Sequence, residues 1–443
     1  MAATYDLIIR GGTIVNHIGE GPGDVGVRAG KIAALGDLGT ASAGEVIDAA
    51  GLHVLPGVID TQVHFREPGR EYKEDLETGT RAAALGGVVG VFEMPNTAPP
   101  TATPDALTDK LTRARGRCHV DYAFYAGAAT DNLADLLDME EMAGCCGVKI
   151  FMGASTGNLL VEEDGDLDAI FASVRRRVAV HSEDEHVMQA NKHLVRPGDW
   201  TCHNEVRSVE SAVSSTRRLL DIVRARGKRV HVLHLTTAEE LELLAQARDV
   251  ASVEVLMNHL TLAAPECYQR LKGKAQQNPP IREQRHQDAL WAGVRSGLID
   301  VLATDHAPHT LEEKEKPYPN SPSGMPGVQT LVPMGLTHVA AGKLSLRRFV
   351  DMTSAAPNRL FQIAGKGLMA RGYDADLTIV DLKARRLIRD EDQASRSGWT
   401  PFHGVEAHGW PMLTIVRGRT IMRDGQIVEP HGGEAMRFQE MLV

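Results

Sequence analysis

The fold is decided by one stretch of the sequence, Pro56-Gly57-Val58-Ile59-Asp60-Thr61-Gln62-Val63-His64-Phe65-Arg66-Glu67-Pro68-Gly69. The stretch begins as a mostly apolar run, short enough for a buried strand, and ends in a cluster of polar groups. Gln62, His64 and Arg66 are spaced two residues apart, and alternate side chains of a strand point to the same side. A histidine and an arginine that end a buried strand together indicate a metal and an anion held side by side. The alternative is a core histidine with a surface arginine.

Composition and charge narrow the class of protein. The 443 residues suffice for a large domain and a smaller one, and a hydrophobic content of 43% is ordinary for a globular protein. The formal net charge of -10 argues against a nucleic-acid surface, which needs a basic face. We expect no signal peptide in residues 1–12, and no apolar run is long enough to span a bilayer.

The cysteines indicate a compartment. They are odd in number and show neither disulfide nor zinc-knuckle spacing. Reduced thiols fit best, so the predicted location is cytoplasmic. The five cysteines are Cys118, Cys145, Cys146, Cys202 and Cys267.

The two ends of the chain share one pattern. Residues 1–55 read as short strands separated by glycine turns, and the same rhythm returns after about residue 365. Asp424-Gly425, between two short apolar runs, is a good hairpin-turn signal. We therefore predict one small β-sandwich domain that both ends build, from residues 1–55 and 365–430.

Between these ends, apolar strands alternate with longer helical stretches. Eight such strands in roughly 300 residues predict a closed parallel (β/α)8 barrel, of the TIM type, over residues 56–364. A doubly wound open sheet is the rival, but it usually has fewer strands and a glycine-rich turn after the first one, which this sequence lacks. The predicted strands are Val58–His64, Val89–Met94, Val120–Ala126, Gly147–Met152, Arg177–His181, Arg229–Leu235, Ser252–Asn258 and Asp300–Asp305.

Barrel enzymes build their sites from the carboxyl ends of the strands, so the residues found there are the candidates. Imidazole and carboxylate groups at these ends suit Zn²⁺ and similar metals. One strand-end histidine is often structural, but five such residues at corresponding ends are hard to explain by packing. The candidate metal ligands are His64, Lys149, His181, His234 and Asp305.

Lys149 needs its own explanation, because it lies between Val148 and Ile150 on an apolar strand. Burial of an ammonium group costs free energy, and a lowered pKa avoids that cost because the amine is then neutral. A neutral amine can react with CO2 to form a carbamate, which is an anion able to bridge two metals. The alternative is a lysine that reaches outward to solvent or pairs with a carboxylate.

Several motifs resemble those of the amidohydrolase superfamily and, within its cyclic-amidohydrolase branch, the dihydroorotases of the longer, sandwich-bearing type. The resemblance runs over nearly the whole chain, and its first and fourth motifs are fairly specific to dihydroorotases and their close relatives. The motifs are Asp60 to Gly69, Met94-Pro95-Asn96-Thr97, Asn278-Pro279-Pro280-Ile281-Arg282, Thr304-Asp305-His306-Ala307-Pro308-His309 and Gly324-Met325-Pro326-Gly327-Val328-Gln329-Thr330.

The resemblance implies reversible cyclisation of N-carbamoyl-L-aspartate to L-dihydroorotate and water, in de novo pyrimidine biosynthesis. Zinc would make solvent nucleophilic, and Asp305 would pass a proton to the leaving nitrogen. Arg66 would grip the substrate carboxylate, assisted by Asn96 and His309, while Asn278 would contact the ring amide. The resemblance also implies a homodimer, and an aspartate transcarbamoylase partner is an open possibility.

The sequence departs from the family pattern at Gln62, where a histidine is usual. An amide oxygen is a weaker zinc ligand than imidazole. We therefore expect one secure metal, held by Lys149, His181 and His234, and one doubtful metal at His64 and Asp305. The rival functions are an allantoinase or hydantoinase and a catalytically silent subunit that scaffolds aspartate transcarbamoylase.

Two further features lie outside the predicted ligand set. The loop from Pro308 to Gly327 carries a charged run, Glu312-Glu313-Lys314-Glu315-Lys316, which we predict to be a solvated surface rather than part of a lid. His259 follows the seventh strand, and we expect it to support the site or the core without binding a ligand.

Overall fold

The computed structural model describes residues 4–154 and 159–439. Strands in this part of the chain fall into two sheets, one for each predicted domain. The strands are β1 (Tyr5–Asn16), β2 (Gly19–Arg28), β3 (Lys31–Gly36), β4 (Ala43–Asp48), β5 (His53–Pro56), β6 (Val58–Val63), β7 (Val88–Glu93), β8 (Asp121–Gly127), β9 (Cys145–Phe151), β10 (Val178–His181), β11 (Val230–Val232), β12 (Ala251–Leu256), β13 (Val301–Ala303), β14 (Leu377–Leu387), β15 (Glu406–Val416), β16 (Arg419–Arg423) and β17 (Gln426–Ile427).

Helices follow most strands of the second group, β6 to β13. The α-helices are α1 (Leu76–Leu85), α2 (Pro104–Ala114), α3 (Leu133–Glu140), α4 (Asp164–Ser173), α5 (Glu185–Ala190), α6 (His203–Val206), α7 (Val209–Arg226), α8 (Ala238–Ala245), α9 (Met257–Thr261), α10 (Glu266–Leu271), α11 (Gln284–Ser296), α12 (Leu311–Lys314), α13 (Leu331–Ala340), α14 (Leu346–Val350) and α15 (Ala356–Phe361). Short 3-10 turns lie at 191–194, 200–202, 272–275, 328–330 and 390–392, and a π-helical turn spans 351–355.

Strands β6 to β13 form a parallel eight-stranded sheet in sequence order, and the sheet curls until its ends meet. Closure is made by the chain just beyond β13: Val63 pairs in parallel with His306, and the His64 N–H donates to the His306 carbonyl at 2.7 Å. The predicted barrel with a separate sheet is thus confirmed. The first strand ends at Val63, one residue before its predicted end.

The other sheet is built from both ends of the chain, as predicted. β5 lies between β1 and β14, so the amino-terminal and carboxyl-terminal strands hydrogen-bond directly. It has its own apolar core, which includes Ile9, Val25 and Ile415. The boundaries at 1–55 and 365–430 stay a prediction; the strands fall inside them except for Pro56, which still pairs with Leu377.

Helix α7 shows how local sequence sets these elements. Ser208 accepts a hydrogen bond from the Ser211 N–H and so caps the first turn, while Gly227 ends the helix with φ +61. The same cap separates α7 from the short helix before it, since α6 ends at Val206, two residues ahead of Ser208.

The sequence predicts neither a membrane-spanning helix nor a disulfide, and the described residues bear on both. Across 4–154 and 159–439, no helix is both long and apolar enough to cross a membrane. All five cysteines lie in these ranges, and each is a buried free thiol.

One buried lysine joins the small sheet to the barrel. The Lys366 ammonium lies 2.5 Å from Asp121 at the start of β8, 2.6 Å from Asp376 and 3.0 Å from Asp374, both just before β14. The three carboxylates are buried with it. Removal of the ammonium would leave like charges facing each other in a medium that solvates them poorly.

We predict that Lys366→Met lowers the free energy of unfolding by about 3–5 kcal/mol, the usual cost of breaking a buried ion pair from one side. Urea denaturation measures it. Lys383→Met is the matched control, because that lysine is exposed, and it should change stability by no more than about 0.5 kcal/mol. Equal effects of the two substitutions would contradict this role for Lys366.

Candidate active site

The predicted residues lie where the barrel strands end. His181 is the last residue of β10, and Lys149 lies on β9 beside Ala179 of β10. His234 and Asp305 each follow the last residue of β11 and β13 by two positions. Three of the predicted residues have left-handed backbone angles: Arg66 (φ 63), His234 (φ 36) and Asp305 (φ 50). Strain of this kind, of order 1–3 kcal/mol each, clusters at functional sites.

His181 and His234 form the first pair. Nδ1 of His181 lies 3.0 Å from Nε2 of His234, and the two rings meet edge to face with centroids 4.7 Å apart. Burial lowers the pKa of both imidazoles, which are therefore neutral near pH 7. Two nitrogens bound to one tetrahedral zinc at about 2.0–2.1 Å would lie about 3.3 Å apart, so the observed pair fits two ligands of one cation.

Glu183 fixes the orientation of His181. Its Oε2 lies 2.8 Å from Nε2 of His181, and the guanidinium of Arg207 binds the same carboxylate at 2.5 Å. Although burial acts to raise it, the pKa of Glu183 is held below its usual value by Arg207 and His181. The carboxylate therefore accepts the Nε2 proton, and Nδ1 keeps its lone pair facing His234.

Lys149 is fully buried beside this pair. Its Nζ has no hydrogen-bond partner in the described chain and lies 4.3 Å from the centroid of the Phe151 ring, which packs against His181. Burial lowers the pKa of Lys149 to about 7, although the carboxylates of Asp305 and Glu254 act in the opposite direction. The neutral amine is therefore far more populated near pH 7 than in an exposed lysine.

His64 forms the second group. Its Nδ1 lies 2.7 Å from Oδ1 of Asn96, and its Nε2 lies 2.9 Å from Oδ1 of Asp305. Gln62 is buried on the same strand, and its Oε1 has no hydrogen-bond partner among residues 4–154 and 159–439. Both nitrogens of His64 thus already have a protein group nearby, whereas the amide oxygen of Gln62 is left without a donor in those ranges.

Asp60 holds the two strands that carry this group. Its carboxylate accepts from the Thr304 N–H at 3.1 Å, from the Thr304 hydroxyl, and from the Gln62 N–H at 3.2 Å. Burial raises the pKa of Asp60 to about 7, and these hydrogen bonds oppose that rise. Asp60 thereby fixes Gln62 on β6 relative to Asp305, the residue after Thr304.

Arg66 and His309 lie together. Nε of Arg66 donates to the Pro308 carbonyl at 3.2 Å, and its Nη2 lies 3.2 Å from Nε2 of His309. Asn278 has different neighbours: its Oδ1 lies 3.0 Å from Nε2 of His203, and no hydrogen bond joins it to the other predicted residues in the described chain. All of these assignments as metal ligands or substrate contacts stay predictions.

The loop after Pro308 corrects one expectation. Glu313 and Lys314 are not part of a solvated surface, because Lys314 is buried and donates to the carbonyls of Gln276, Pro322 and Gly324 at 2.9, 2.7 and 2.9 Å. Glu313 lies 2.9 Å from the ammonium of Lys73. His259, by contrast, is buried against the Pro279 carbonyl at 3.2 Å, which agrees with a supporting role.

The predicted metal ligands fall short of a complete donor set in their unmodified form. Within the described residues, no three histidine, cysteine, aspartate or glutamate side chains form a group that could hold a metal. The two neutral imidazoles of His181 and His234 could supply two ligands, and Lys149 could become a third only as a carbamate. His64 and Asp305 could supply two more, and Gln62 would add only an amide.

Sequence reasoning missed four side chains that support this site. Glu183 and Arg207 orient His181, Asp60 holds Thr304, and Lys73 contacts His309. The alternation His181-x-Glu183 could have indicated the first, since side chains two apart on a strand share a face. The other three depend on contacts between distant segments, for which the sequence carries no comparable signal.

Comparison with known proteins now identifies the family. The profile of the amidohydrolase family matches residues 53–421. The chain belongs to the amidohydrolase family. The predicted resemblance is therefore confirmed, and the protein is an enzyme, a cyclic amidohydrolase.

Individual amidohydrolases match almost the full length. A protein of Methanosarcina mazei named dihydroorotase is 35% identical over 439 residues, with 95% of each chain covered. A protein of Paenarthrobacter aurescens named L-hydantoinase is 32% identical, with 97% of each chain covered. The solved structure of the L-hydantoinase (dihydropyrimidinase) from Arthrobacter aurescens has a TM-score of 0.94 at 31% identity, covering 98% of this chain and 100% of that one.

Gly69 is needed for the loop of Arg66 to approach its neighbour. With φ +98, a Cβ at this position would lie 2.1 Å from the Ala98 carbonyl oxygen. We predict that Gly69→Ala destabilises the protein more than Gly11→Ala, which shares a positive φ (+73) but has open space around it. The Gly11 control should cost about 1–2 kcal/mol by backbone strain alone. Thermal unfolding of both variants measures the difference, and equal losses would contradict the close approach.

Proposed function

We propose that this amidohydrolase is a dihydroorotase, which catalyses the reversible cyclisation of N-carbamoyl-L-aspartate to L-dihydroorotate and water in de novo pyrimidine biosynthesis. The observation that carries the proposal is a buried arginine at the barrel mouth without a carboxylate partner. Relatives with this name, of which the Methanosarcina protein is one, support it.

Arg66 is 2% exposed, and no ion pair to it occurs in the described part of the chain. Burial lowers the pKa of Arg66 only to about 10, so it remains a cation near neutral pH. A buried and unpaired charge is costly, and a ligand carboxylate bound by two parallel hydrogen bonds would offset that cost. Both N-carbamoyl-L-aspartate and L-dihydroorotate carry such a carboxylate, whereas substrates of hydantoinases and allantoinases need not.

The proposed cofactor is Zn²⁺, held by His181, His234 and an N6-carboxylated Lys149. The facing nitrogens of the histidines and the neutral, unpartnered amine of Lys149 fit this group. A second Zn²⁺ at His64 and Asp305 is doubtful because Gln62 stands where a third strong ligand would be needed. Bound zinc supplies a Lewis acid that makes water nucleophilic near neutral pH.

The chain's own residues then orient the substrate and move the proton. Arg66, Asn96 and His309 are proposed to bind the carboxylate, and Asn278 the ring amide. Asp305 is proposed to accept the proton of the attacking water and to deliver it to the leaving ring nitrogen. His64 lies 2.9 Å from this carboxylate and helps to hold it in place. Cytoplasmic location, a homodimer and a complex with aspartate transcarbamoylase stay predictions.

Two other functions are each favoured by one observation. A hydantoinase-type activity is favoured by the structural likeness to an L-hydantoinase with a TM-score of 0.94. A silent subunit that scaffolds aspartate transcarbamoylase is favoured by Gln62. Metal analysis together with an assay of dihydroorotate hydrolysis separates the silent subunit from an active enzyme. Metal-free protein without turnover would favour the silent subunit.

We predict that Arg66→Gln lowers kcat/KM for L-dihydroorotate by about 100-fold, because a charge-assisted hydrogen bond contributes about 1.5–3 kcal/mol. Ring opening measured by the loss of dihydroorotate absorbance gives both constants. Turnover of 5,6-dihydrouracil, which lacks the carboxylate, should not fall in parallel.

Arg347→Gln is the matched control for this substitution. Arg347 is exposed on α14, and its loss should leave kcat/KM within about twofold of the unmodified protein. If dihydroorotate turnover survives Arg66→Gln unchanged, the assignment to dihydroorotase is wrong.

The carboxylation of Lys149 makes a separate prediction. Protein equilibrated with ¹³C-bicarbonate should show a carbamate resonance that Lys149→Met removes and that Lys383→Met retains. Only the neutral amine reacts with CO2, and its pKa is about 7, so at a constant concentration of dissolved ¹³CO2 the rate at which metal-free protein takes up the label should fall as the pH drops below 7. An uptake rate that stays constant from pH 8 to 6 would contradict it.

A further inference from the structure

Lys73 is a buried lysine between the Arg66 loop and the loop after Pro308. Its side chain is 7% exposed, and its ammonium lies 2.9 Å from Nδ1 of His309 and 2.9 Å from Oε1 of Glu313. An ammonium group can only donate hydrogen bonds. Nδ1 of His309 therefore accepts from the ammonium and carries no proton, although Oε2 of Glu313, 3.5 Å from the same nitrogen, is an acceptor that would favour the other tautomer.

This contact determines where the proton of His309 lies. Burial lowers the pKa of His309 well below its usual value, so the imidazole is neutral and has one N–H. With Nδ1 accepting from Lys73, that proton is on Nε2. Nε2 lies 3.0 Å from the Ser323 carbonyl, which can accept it, and 3.2 Å from Nη2 of Arg66, which cannot.

Nε2 of His309 and Nη2 of Arg66 are thus two donors that approach each other closely. An anion whose oxygen accepts from both, sharing the Nε2 proton with the Ser323 carbonyl, would resolve this contact, and a carboxylate is such a group. The backbone of His309 is fixed as well, because Nε1 of the buried Trp399 donates to its carbonyl at 2.8 Å. The position of the imidazole ring is therefore held through the backbone, while Lys73 at Nδ1 determines which ring nitrogen carries the proton.

We propose that Lys73 is a positioning residue that fixes the tautomer of His309, so that His309 and Arg66 together present two donors to the substrate carboxylate. The inference rests on the proposed dihydroorotase function. Lys73 itself touches His309 and Glu313, and acts on the substrate only through His309. The purely structural alternative is that Lys73 serves only to anchor the loop through Glu313.

The experiment compares Lys73→Met, Lys73→Arg and Glu313→Gln. We expect Lys73→Met to raise KM for L-dihydroorotate about 10- to 100-fold, the range for a charged hydrogen bond, with a smaller change in kcat. Lys73→Arg keeps a donor and should restore much of the affinity. Glu313→Gln removes the loop anchor's charge, preserves the capping box that starts α12, and should leave KM close to normal.

A second readout reports the tautomer directly. In ¹⁵N NMR of histidine-labelled protein, assigned with His309→Gln, the His309 signals should show a protonated Nε2 in the unmodified protein and in Glu313→Gln. In Lys73→Met they should shift towards a mixture of tautomers. Lys192→Met, which removes an exposed lysine, is the control and should change neither readout.

The outcomes are distinguishable. Unchanged His309 signals in Lys73→Met, or a rise in KM in Glu313→Gln equal to that in Lys73→Met, would overturn the inference. If the unmodified protein does not hydrolyse dihydroorotate at all, the proposed function fails instead, and the NMR comparison still decides whether Lys73 sets the tautomer.

Discussion

The site depends on how the barrel closes between β6 and the segment after β13. The His64 N–H donates to the His306 carbonyl, and Asp60 accepts from both the backbone and the hydroxyl of Thr304. These bonds lie next to Gln62, His64 and Asp305. Because the two strands are about 240 residues apart in sequence and meet only when the barrel is complete, the site cannot form before the sheet closes.

Burial gives the charges at this mouth their chemistry. In water, lysine, histidine and arginine side chains have their ordinary pKa values and need no partner. In this site burial lowers the pKa of Lys149 to about 7, keeps the histidines neutral and leaves Arg66 charged without a carboxylate partner among the described residues. Enclosed by apolar strands, they have the properties that the proposed roles need: an amine that can be neutral, two imidazoles with free lone pairs and a cation without a counter-charge. Glu183 and Arg207 form the compensated pair that lets His181 keep a single orientation.

Much of this could be predicted from the sequence, for a definite reason. Strand ends are visible because apolar runs stop at polar residues, and the barrel then brings those ends to one mouth. Placement of Lys149, His181 and His234 followed from that rule alone. The shared second sheet could be predicted as well, because neither end of the chain has enough apolar residues for a core of its own.

What could not be predicted depends on contacts between distant segments. The charged run around Lys314 reads as a surface, yet three carbonyls from other loop segments surround its ammonium. Lys73 reads as one more polar residue after a turn, and only the folded chain places it against His309. The left-handed angles at Arg66, His234 and Asp305 likewise have no glycine to indicate them.

A crystal structure with L-dihydroorotate bound would test the account most directly. We predict that one carboxylate oxygen of the ligand lies within about 3 Å of both Nη2 of Arg66 and Nε2 of His309, the normal range for charge-assisted hydrogen bonds. A ligand bound at the barrel mouth with its carboxylate turned away from Arg66 would contradict the account.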